Sequence, residues 1–278
     1  QDDWYFMSQK EKEIFEGKLD FTEEQIKQYD AKWTERKRYC DSLHIKLYWV
    51  IAPMKHNVYA DKLPFNVYKG HGKSRVQRLK EQLNKEVASI VIDPLQTLLS
   101  AKDSMKLYYK LDDHWNNRAG FLVSNLLIEK LKTDFPQLQT VSYDEYKWVD
   151  TTYYRGFHRD VLGINSLHER ELYPIPKEAN WYEAPKTGYP PIVEFPYPTE
   201  YEKRFVNTKP TNKLKILFIR DSFGDLLMPF VNSRFSECQY IFDSWHYGMN
   251  KNIVENFKPD IIVFLGLETH LEHILKYN

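Results

Sequence analysis

The chain has 278 residues, 42% of them hydrophobic, which is enough for one domain with a sizeable core. Its 39 basic and 39 acidic residues cancel, so no global field favours nucleic acid, and no nucleic-acid partner is expected. Neither an apolar run of about 18 residues nor a glycine-rich phosphate motif occurs, so the sequence indicates no membrane span and no nucleotide cofactor. Two cysteines, Cys40 and Cys238, exclude a cysteine-cluster metal site and leave one disulfide open.

The first half of the chain alternates helical and strand patterns. Thr22 and Gln25 have capping-box spacing, and apolar residues continue at helical spacing, which predicts a helix to about Leu43. The β-branched and aromatic run at 44–52 predicts a buried strand. Further patterns predict a helix at 75–87, a strand at 89–92, a short helix to residue 100, a strand-like segment at 107–109 and a helix at 117–131.

The second half interrupts this alternation and then resumes it. Residues 135–212 are rich in tyrosine, proline and charge, as at 195–198, and we interpret them as an insertion of loops, with room for short hairpins, over the sheet edge and not as a separate domain. Strands are predicted at 214–219, 239–241 and 261–265, with helices at 222–235 and 252–257. The pattern predicts a single α/β domain over 1–278 with a doubly wound parallel sheet.

Three side chains could form a nucleophilic serine site. Ser222 follows a predicted strand at the carboxyl edge of the sheet, where open α/β sheets bind ligands. His114 could act as its base, with Asp112 fixing the imidazole tautomer. Each residue also has a structural alternative: Ser222 as a helix N-cap and His114 as a buried imidazole beside Trp115.

Five blocks of sequence resemble one known family. The segment 107–116, followed by Ala119 and Gly120, resembles the Y-x-x-D-x-H-W-N…G signature of AlgX- and AlgJ-type alginate O-acetyltransferases and their DHHW-type relatives, which are SGNH-hydrolase-like proteins. Residues 4–6, 50–59 and 63–64 are similar to the family's G-W-L-F, V-x-A-P-x-K-x-x-V-Y and L-P blocks, and residues 219–224 to its R-D-S-F-G block. The blocks lie in the family's order across nearly the whole chain.

The resemblance implies an SGNH-hydrolase-like, flavodoxin-like fold in which Asp112, His114 and Ser222 form the triad. Arg220 stands where ordinary SGNH enzymes have glycine, so we take the backbone N–H groups of Ser222 and Gly224 as oxyanion candidates.

Other residues of the matching blocks could contact a substrate. Trp115 and Asn116 adjoin His114, Arg220 could bind an acidic sugar or form a strand-end ion pair, and Lys55 and His56 could face the cleft or lie in a solvated loop. Metal binding by the pair His270 and His273 lacks a third ligand, so no metal is expected.

The resemblance further implies an extracytoplasmic polysaccharide O-acetyltransferase with an acetyl-serine intermediate and no cofactor. Its expected partners are a glycan acceptor and a membrane-bound acyl-donor protein. The protein is expected in the periplasm, or anchored to a membrane through a segment absent from this chain. The 20 tyrosines and 7 tryptophans suit a carbohydrate surface, although cores and protein interfaces enrich them as well. The alternatives are a carbohydrate O-acetylesterase and a non-catalytic glycan-binding or assembly protein.

Overall fold

The computed structural model describes residues 3–6, 9–153, 156–164, 166–190 and 201–276. Helices and strands alternate along most of this part of the chain. The helices are α1 (Gln9–Phe15), α2 (Glu23–Ser42), α3 (Lys55–Val58), α4 (Arg75–Gln82), α5 (Lys85–Ile90), α6 (Leu95–Ala101), α7 (Asn117–Leu131), α8 (Phe157–Val161), α9 (Met228–Val231), α10 (Lys251–Phe257) and α11 (Leu271–Lys276). The strands are β1 (Lys46–Ala52), β2 (Val91–Ile92), β3 (Tyr146–Tyr153), β4 (Glu169–Pro176), β5 (Trp181–Ala184), β6 (Glu202–Asn207), β7 (Lys215–Arg220), β8 (Glu237–Phe242) and β9 (Ile261–Leu267).

The central sheet has the strand order β2-β1-β9-β7-β8-β6-β5. Neighbours from β2 to β8 run parallel, whereas β6 and β5 are antiparallel additions at one edge. Every residue of the central strand β9 is buried. Helices cover both faces of the sheet. Successive side chains of β1 point to opposite faces, and they pack into two different apolar clusters, Val50 into one and Trp49 into the other. The predicted doubly wound α/β fold is confirmed, with an antiparallel edge.

Local sequence explains where the predicted helices and strands begin. The capping box of Thr22 and Gln25 is present at the start of α2, and Asn116 caps α7 by accepting from the Arg118 and Ala119 N–H groups. The predicted helix at 75–87 is wrong as a continuous element, because Leu83 is extended and Asn84 caps a new helix. That new helix takes in the first half of the predicted strand at 89–92 and leaves only β2.

The insertion contributes more than loops. Strands β3 and β4 form a separate two-stranded antiparallel sheet, and β5 and β6 are hydrogen bonded into the central sheet. The proline- and tyrosine-rich run at 195–198 lies outside the described residues. The insertion therefore extends the sheet on one side and adds a hairpin beside it.

Cys40, on α2, and Cys238, on β8, are both free thiols, and both are buried.

The segment after β7 differs from the predicted helix at 222–235. It is a 3-10 helix over Ser222–Leu227, followed by the four-residue α9. Pro229 lies in the first turn of α9, where its fixed φ and missing N–H suit the start of a new helix and not the continuation of an old one. Ser222 consequently stands on a short, tight turn at the carboxyl edge of the sheet.

Candidate active site

Ser222 follows β7, and the side chain before it holds the turn. Asp221 Oδ1 accepts the Phe223 N–H at 2.9 Å, so Asp221 caps the 3-10 helix. The capping role that Ser222 could have taken therefore belongs to Asp221. The hydroxyl of Ser222 remains directed at His114, whose Nε2 lies 2.6 Å from Ser222 Oγ.

His114 lies in a loop closed by the antiparallel bridge between Tyr108 and Trp115. Its Nδ1 is 2.5 Å from Asp112 Oδ1, and the same carboxylate oxygen accepts the His114 backbone N–H at 2.9 Å. A carboxylate only accepts, so Nδ1 carries the proton and Nε2 is free to accept the Ser222 hydroxyl proton. The three predicted triad residues are therefore brought together in the order carboxylate, imidazole, hydroxyl.

The electrostatics of the pair favour a strong base. Burial opposes the charged imidazole, but the hydrogen bond and charge of Asp112 outweigh it, so the pKa of His114 is raised above its ordinary value. Asp112 is 7% exposed, whereas the His114 side chain keeps 32% of its surface exposed. The imidazole can therefore exchange protons with a bound molecule, while its orienting carboxylate stays shielded from water.

Two side chains of opposite charge, Lys55 and Glu169, hold the loop by its backbone groups. Lys55 Nζ donates to the carbonyl oxygens of Lys110 at 3.1 Å and Asp112 at 2.9 Å. Glu169, the first residue of β4, accepts the N–H groups of Lys110 at 3.0 Å and Leu111 at 3.1 Å. Charge-assisted bonds of this kind are stronger than neutral ones. Together they fix the backbone that presents Asp112 and His114.

Glu268, the residue after β9, supports this arrangement through its contacts with α3. Its Oε2 accepts the Met54 N–H at 3.3 Å and Asn57 Nδ2 at 2.8 Å, which holds the start of α3 and thereby Lys55. Burial raises the pKa of Glu268 to about 7 and lowers the pKa of Lys55 to about 8. The central strand is thus connected to the Asp112 loop through two buried ionisable groups.

The five predicted substrate-contacting residues have placements that favour positioning roles. The side chains of Trp115, Asn116, Arg220, Lys55 and His56 are each at most 3% exposed. Trp115 Nε1 donates to the Phe223 carbonyl, Asn116 caps α7, and Arg220 NH1 bonds Asp225 at 3.0 Å. His56 packs between aromatic rings, and burial lowers its pKa to about 4. Burial of these side chains therefore favours positioning over the substrate contact that the sequence also allowed, and the contact of Arg220 with Asp225 matches the strand-end ion pair.

The two backbone N–H groups taken as oxyanion candidates have different surroundings. The Gly224 N–H donates to the Asp221 carbonyl at 3.1 Å, so it is engaged within the turn and is withdrawn as a donor. The Ser222 N–H begins the 3-10 helix, where no preceding helical carbonyl exists to accept it. Gly224 has a packing role instead, because a Cβ there would come within 2.9 Å of Arg220 Cδ.

The residues near the site that the sequence did not single out lie behind the nucleophile and beside the loop. Asp221 is buried, and its Oδ2 accepts the Tyr247 hydroxyl at 2.9 Å and the Leu267 N–H at 2.7 Å. His270 Nδ1 lies 3.2 Å from the same oxygen. Burial opposes the Asp221 anion, but His270 and these donors outweigh it and lower the pKa of Asp221. In the sequence, the position of His270 shortly after the predicted strand at 261–265 was the one feature that pointed to this contact.

Asp113 and the histidine pair complete the surroundings. Asp113 Oδ1 lies 2.9 Å from His158 Nε2, so it pairs away from His114 and is not part of the contacts among Asp112, His114 and Ser222. His270 and His273 stack with ring centroids 5.2 Å apart. Among the described residues, no three His, Cys, Asp or Glu side chains are grouped to hold a metal ion.

Comparison with known families identifies the class of protein. A family described as "SGNH hydrolase-like domain, acetyltransferase AlgX" matches residues 1–184, and the chain belongs to this family. The match contains Asp112 and His114 and ends before Ser222. No curated protein sequence matches the chain.

Solved structures share the fold over nearly the whole chain. PatB1 of Bacillus cereus, solved with a sulfonyl adduct, has a TM-score of 0.69 at 15% identity, covering 98% of this chain and 96% of that one. A DHHW family protein from Eubacterium siraeum has a TM-score of 0.64 at 16% identity, covering 88% and 84%. The O-acetyltransferase domain of Pseudomonas putida AlgJ has a TM-score of 0.54 at 14% identity, covering 98% and 90%. The SGNH-hydrolase-like fold expected from the sequence is confirmed.

In the parts of the chain that the structure describes, every helix is too short or too polar to cross a bilayer.

Proposed function

We propose that the protein is a polysaccharide O-acetyltransferase that works through an acetyl-serine intermediate on Ser222. The observation that carries this proposal is the pair of contacts made by His114, 2.5 Å to Asp112 and 2.6 Å to Ser222. The distance between Ser222 and His114 lies within hydrogen-bond reach of a nucleophile and its base, and the contact between His114 and its orienting carboxylate is shorter than an ordinary hydrogen bond. Membership of a family of acetyltransferases supports the same chemistry.

In the first half-reaction, Ser222 Oγ attacks the carbonyl carbon of the acyl donor while His114 Nε2 takes the hydroxyl proton. The oxygen of the tetrahedral intermediate carries a negative charge, for which the Ser222 N–H is the proposed donor. The intermediate collapses when the donor's leaving oxygen takes the proton from His114 Nε2. The acetyl group is then esterified to Ser222, and Asp112 has remained ionised throughout.

In the second half-reaction, a sugar hydroxyl replaces the leaving group. His114 Nε2 removes its proton as the oxygen attacks the acetyl carbon, and the same proton returns to Ser222 Oγ when the serine departs. If water takes the place of the sugar, the products are acetate and free enzyme, which is the acetylesterase alternative. The exposed third of the His114 side chain is where either nucleophile would approach.

The non-catalytic alternative predicts different geometry. A glycan-binding or assembly protein has no need to keep Ser222 Oγ within hydrogen-bond reach of His114, or to hold the Asp112 loop with Lys55 and Glu169. These arrangements favour the enzyme. The proposal further includes an extracytoplasmic location and a membrane-bound acyl-donor protein, for which p-nitrophenyl acetate can substitute in the laboratory.

The test uses p-nitrophenyl acetate as the acyl donor and intact-mass measurement of the protein. The wild-type protein is expected to release a stoichiometric burst of p-nitrophenol and to gain one acetyl group. Ser222→Ala and His114→Ala are expected to abolish both signals, with Ser244→Ala as a matched serine control that keeps them. Because PatB1 has been solved with a sulfonyl adduct, phenylmethanesulfonyl fluoride is a second probe for Ser222. Wild-type acetylation no greater than that of the variants would exclude the proposal.

A further inference from the structure

Three aromatic side chains form an exposed shelf at the carboxyl edge of the sheet. Tyr201 precedes β6, Phe242 ends β8, and Trp245 follows it. Their ring centroids are 5.5 to 5.6 Å apart in all three pairs. Tyr201 is 37% exposed and Trp245 47% exposed. We call this group the aromatic shelf.

Strand register places the shelf beside the nucleophile. Arg220, two residues before Ser222, is the parallel partner of Phe242, and its guanidinium lies 5.2 Å from the Phe242 ring centre. Glu202 pairs with Ile241 in the antiparallel ladder, so Tyr201 comes opposite Phe242 when the ladder is extended by one residue. Adjacent strands are about 4.8 Å apart. The shelf thus begins one strand away from the strand that carries Ser222.

The shelf also shares a face of the sheet with the base. Side chains alternate along a strand, so Arg220 and Phe242 point to the same side as Phe218 and Tyr240. These two rings belong to the apolar cluster that includes Trp115 and the buried side of α7. The His114 ring packs on Phe223 of the same cluster, with centroids 4.7 Å apart, so the imidazole and the shelf lie on one side of the sheet edge.

Charged groups adjoin the shelf without favouring one sign. Lys203 Nζ lies 2.9 Å from Asp225 Oδ1, and both side chains are partly exposed, at 43% and 38%. Asp225 belongs to the 3-10 helix that begins at Ser222, so this pair lies between the shelf and the nucleophile. Such groups can hydrogen bond to hydroxyls, while aromatic faces bind the C–H face of a sugar ring.

We propose that Tyr201, Phe242 and Trp245 form the acceptor subsite, which stacks a pyranose ring next to the residue whose hydroxyl is acetylated. This inference rests on the proposed function and adds to it the position and the chemical class of the acceptor. Flat rings with a phenol and an indole N–H at their edges suit a ligand with both apolar and hydroxyl surfaces. The small size of the shelf suits one or two sugar residues and not a protein partner.

The test measures binding of cellopentaose, chitopentaose, mannopentaose and pentamannuronate by isothermal titration calorimetry. At least one of the four is expected to bind the wild-type protein, and Trp245→Ala and Tyr201→Ala are each expected to weaken that binding at least tenfold. Tyr182→Ala is the matched control, since Tyr182 is 51% exposed on β5 and pairs with Val206 near the far end of β6. It is expected to bind like the wild type.

Two results would overturn the subsite: no binding of any of the four pentasaccharides by the wild-type protein, or equal binding by Trp245→Ala. Circular dichroism on each variant establishes that it is folded. The burst of p-nitrophenol involves no sugar, so it reports on the proposed function separately. If the wild-type protein binds a pentasaccharide at the shelf but shows no burst, the shelf is a sugar-binding site and the catalytic proposal is excluded.

Discussion

The change Asp112→Asn tests how the carboxylate supports His114. Asp112 Oδ1 accepts both the His114 N–H and the Nδ1–H, at 2.9 and 2.5 Å. An asparagine carbonyl oxygen in that place can accept both bonds, so the tautomer of His114 is retained and the charge of the acceptor is lost. A charged acceptor contributes on the order of 1 to 2 kcal/mol more than a neutral one. We therefore expect kcat/KM to fall roughly 5- to 30-fold.

The pH profile provides a second readout of the same change. Only the neutral imidazole can take the Ser222 proton, so activity should rise with pH through the pKa of His114. Because Asp112 raises that pKa, the wild-type midpoint should lie above the ordinary value, and Asp112→Asn should lower it. Initial rates of p-nitrophenyl acetate turnover across pH measure both quantities. Asp113→Asn is the matched control: Asp113 bonds His158, and its charge contributes less than that of Asp112 to the raised pKa of His114, so the midpoint should move less.

Two outcomes would contradict this reasoning. A loss near 10⁴-fold, as found when the amide turns its NH₂ toward the histidine, would show that the carbonyl does not keep its place. An unchanged rate with an unchanged midpoint would show that Asp112 has no electrostatic role.

Three further substitutions test the supporting structure. Glu268→Gln should remove a buried carboxylate that costs stability when it is ionised. The pKa of Glu268 is about 7 in the folded protein against 4.5 in the unfolded chain, so the wild type loses stability as pH rises between these values. The unfolding free energy of the variant relative to the wild type should therefore grow by up to about 3 kcal/mol from pH 4.5 to 8. Identical pH dependence in urea titrations would refute this. Gly224→Ala should destabilise the fold by about 1 to 3 kcal/mol, because its Cβ would meet buried Arg220; an unchanged melting temperature would count against that contact. Glu169→Gln should lower kcat more than it changes KM, because the Asp112 loop loses a charged acceptor of two N–H groups; unchanged kcat would show that the loop holds its shape without it.

Much of the fold follows from local sequence. The capping residues Thr22 and Asn116 mark helix starts that the structure has in the same places, and the apolar runs of β1, β7 and β9 became buried parallel strands. The break at Asn84 and the 3-10 helix after Asp221 were not predicted. Both depend on a side chain capping a new turn where the hydrophobic spacing alone would also fit a continuing helix.

The site was predictable in its chemistry and less so in its surroundings. Asp112, His114 and Ser222 carry functional groups that need one another, but their types and strand-edge positions also fitted structural roles. The resemblance of the surrounding blocks to one family is what favoured a triad. Glu169 and Tyr247 could not be linked to it, because their contacts with the loop and with Asp221 span 58 and 26 residues of chain. A buried lysine is similarly hard to anticipate, and Lys55 was expected in a cleft or a solvated loop.

The attachment of the Asp112 loop to β4 has a consequence for how the protein responds to mild denaturation. Strands β3 and β4 form a sheet of only two strands, which packs on α7 but is not hydrogen bonded to the central sheet. Such a unit opens at a lower free-energy cost than core strands do. The amide protons of Lys110 and Leu111 bond to Glu169 and should exchange with deuterium as fast as this hairpin opens, well before those of β9. Turnover should therefore disappear at urea concentrations at which the central sheet is still intact.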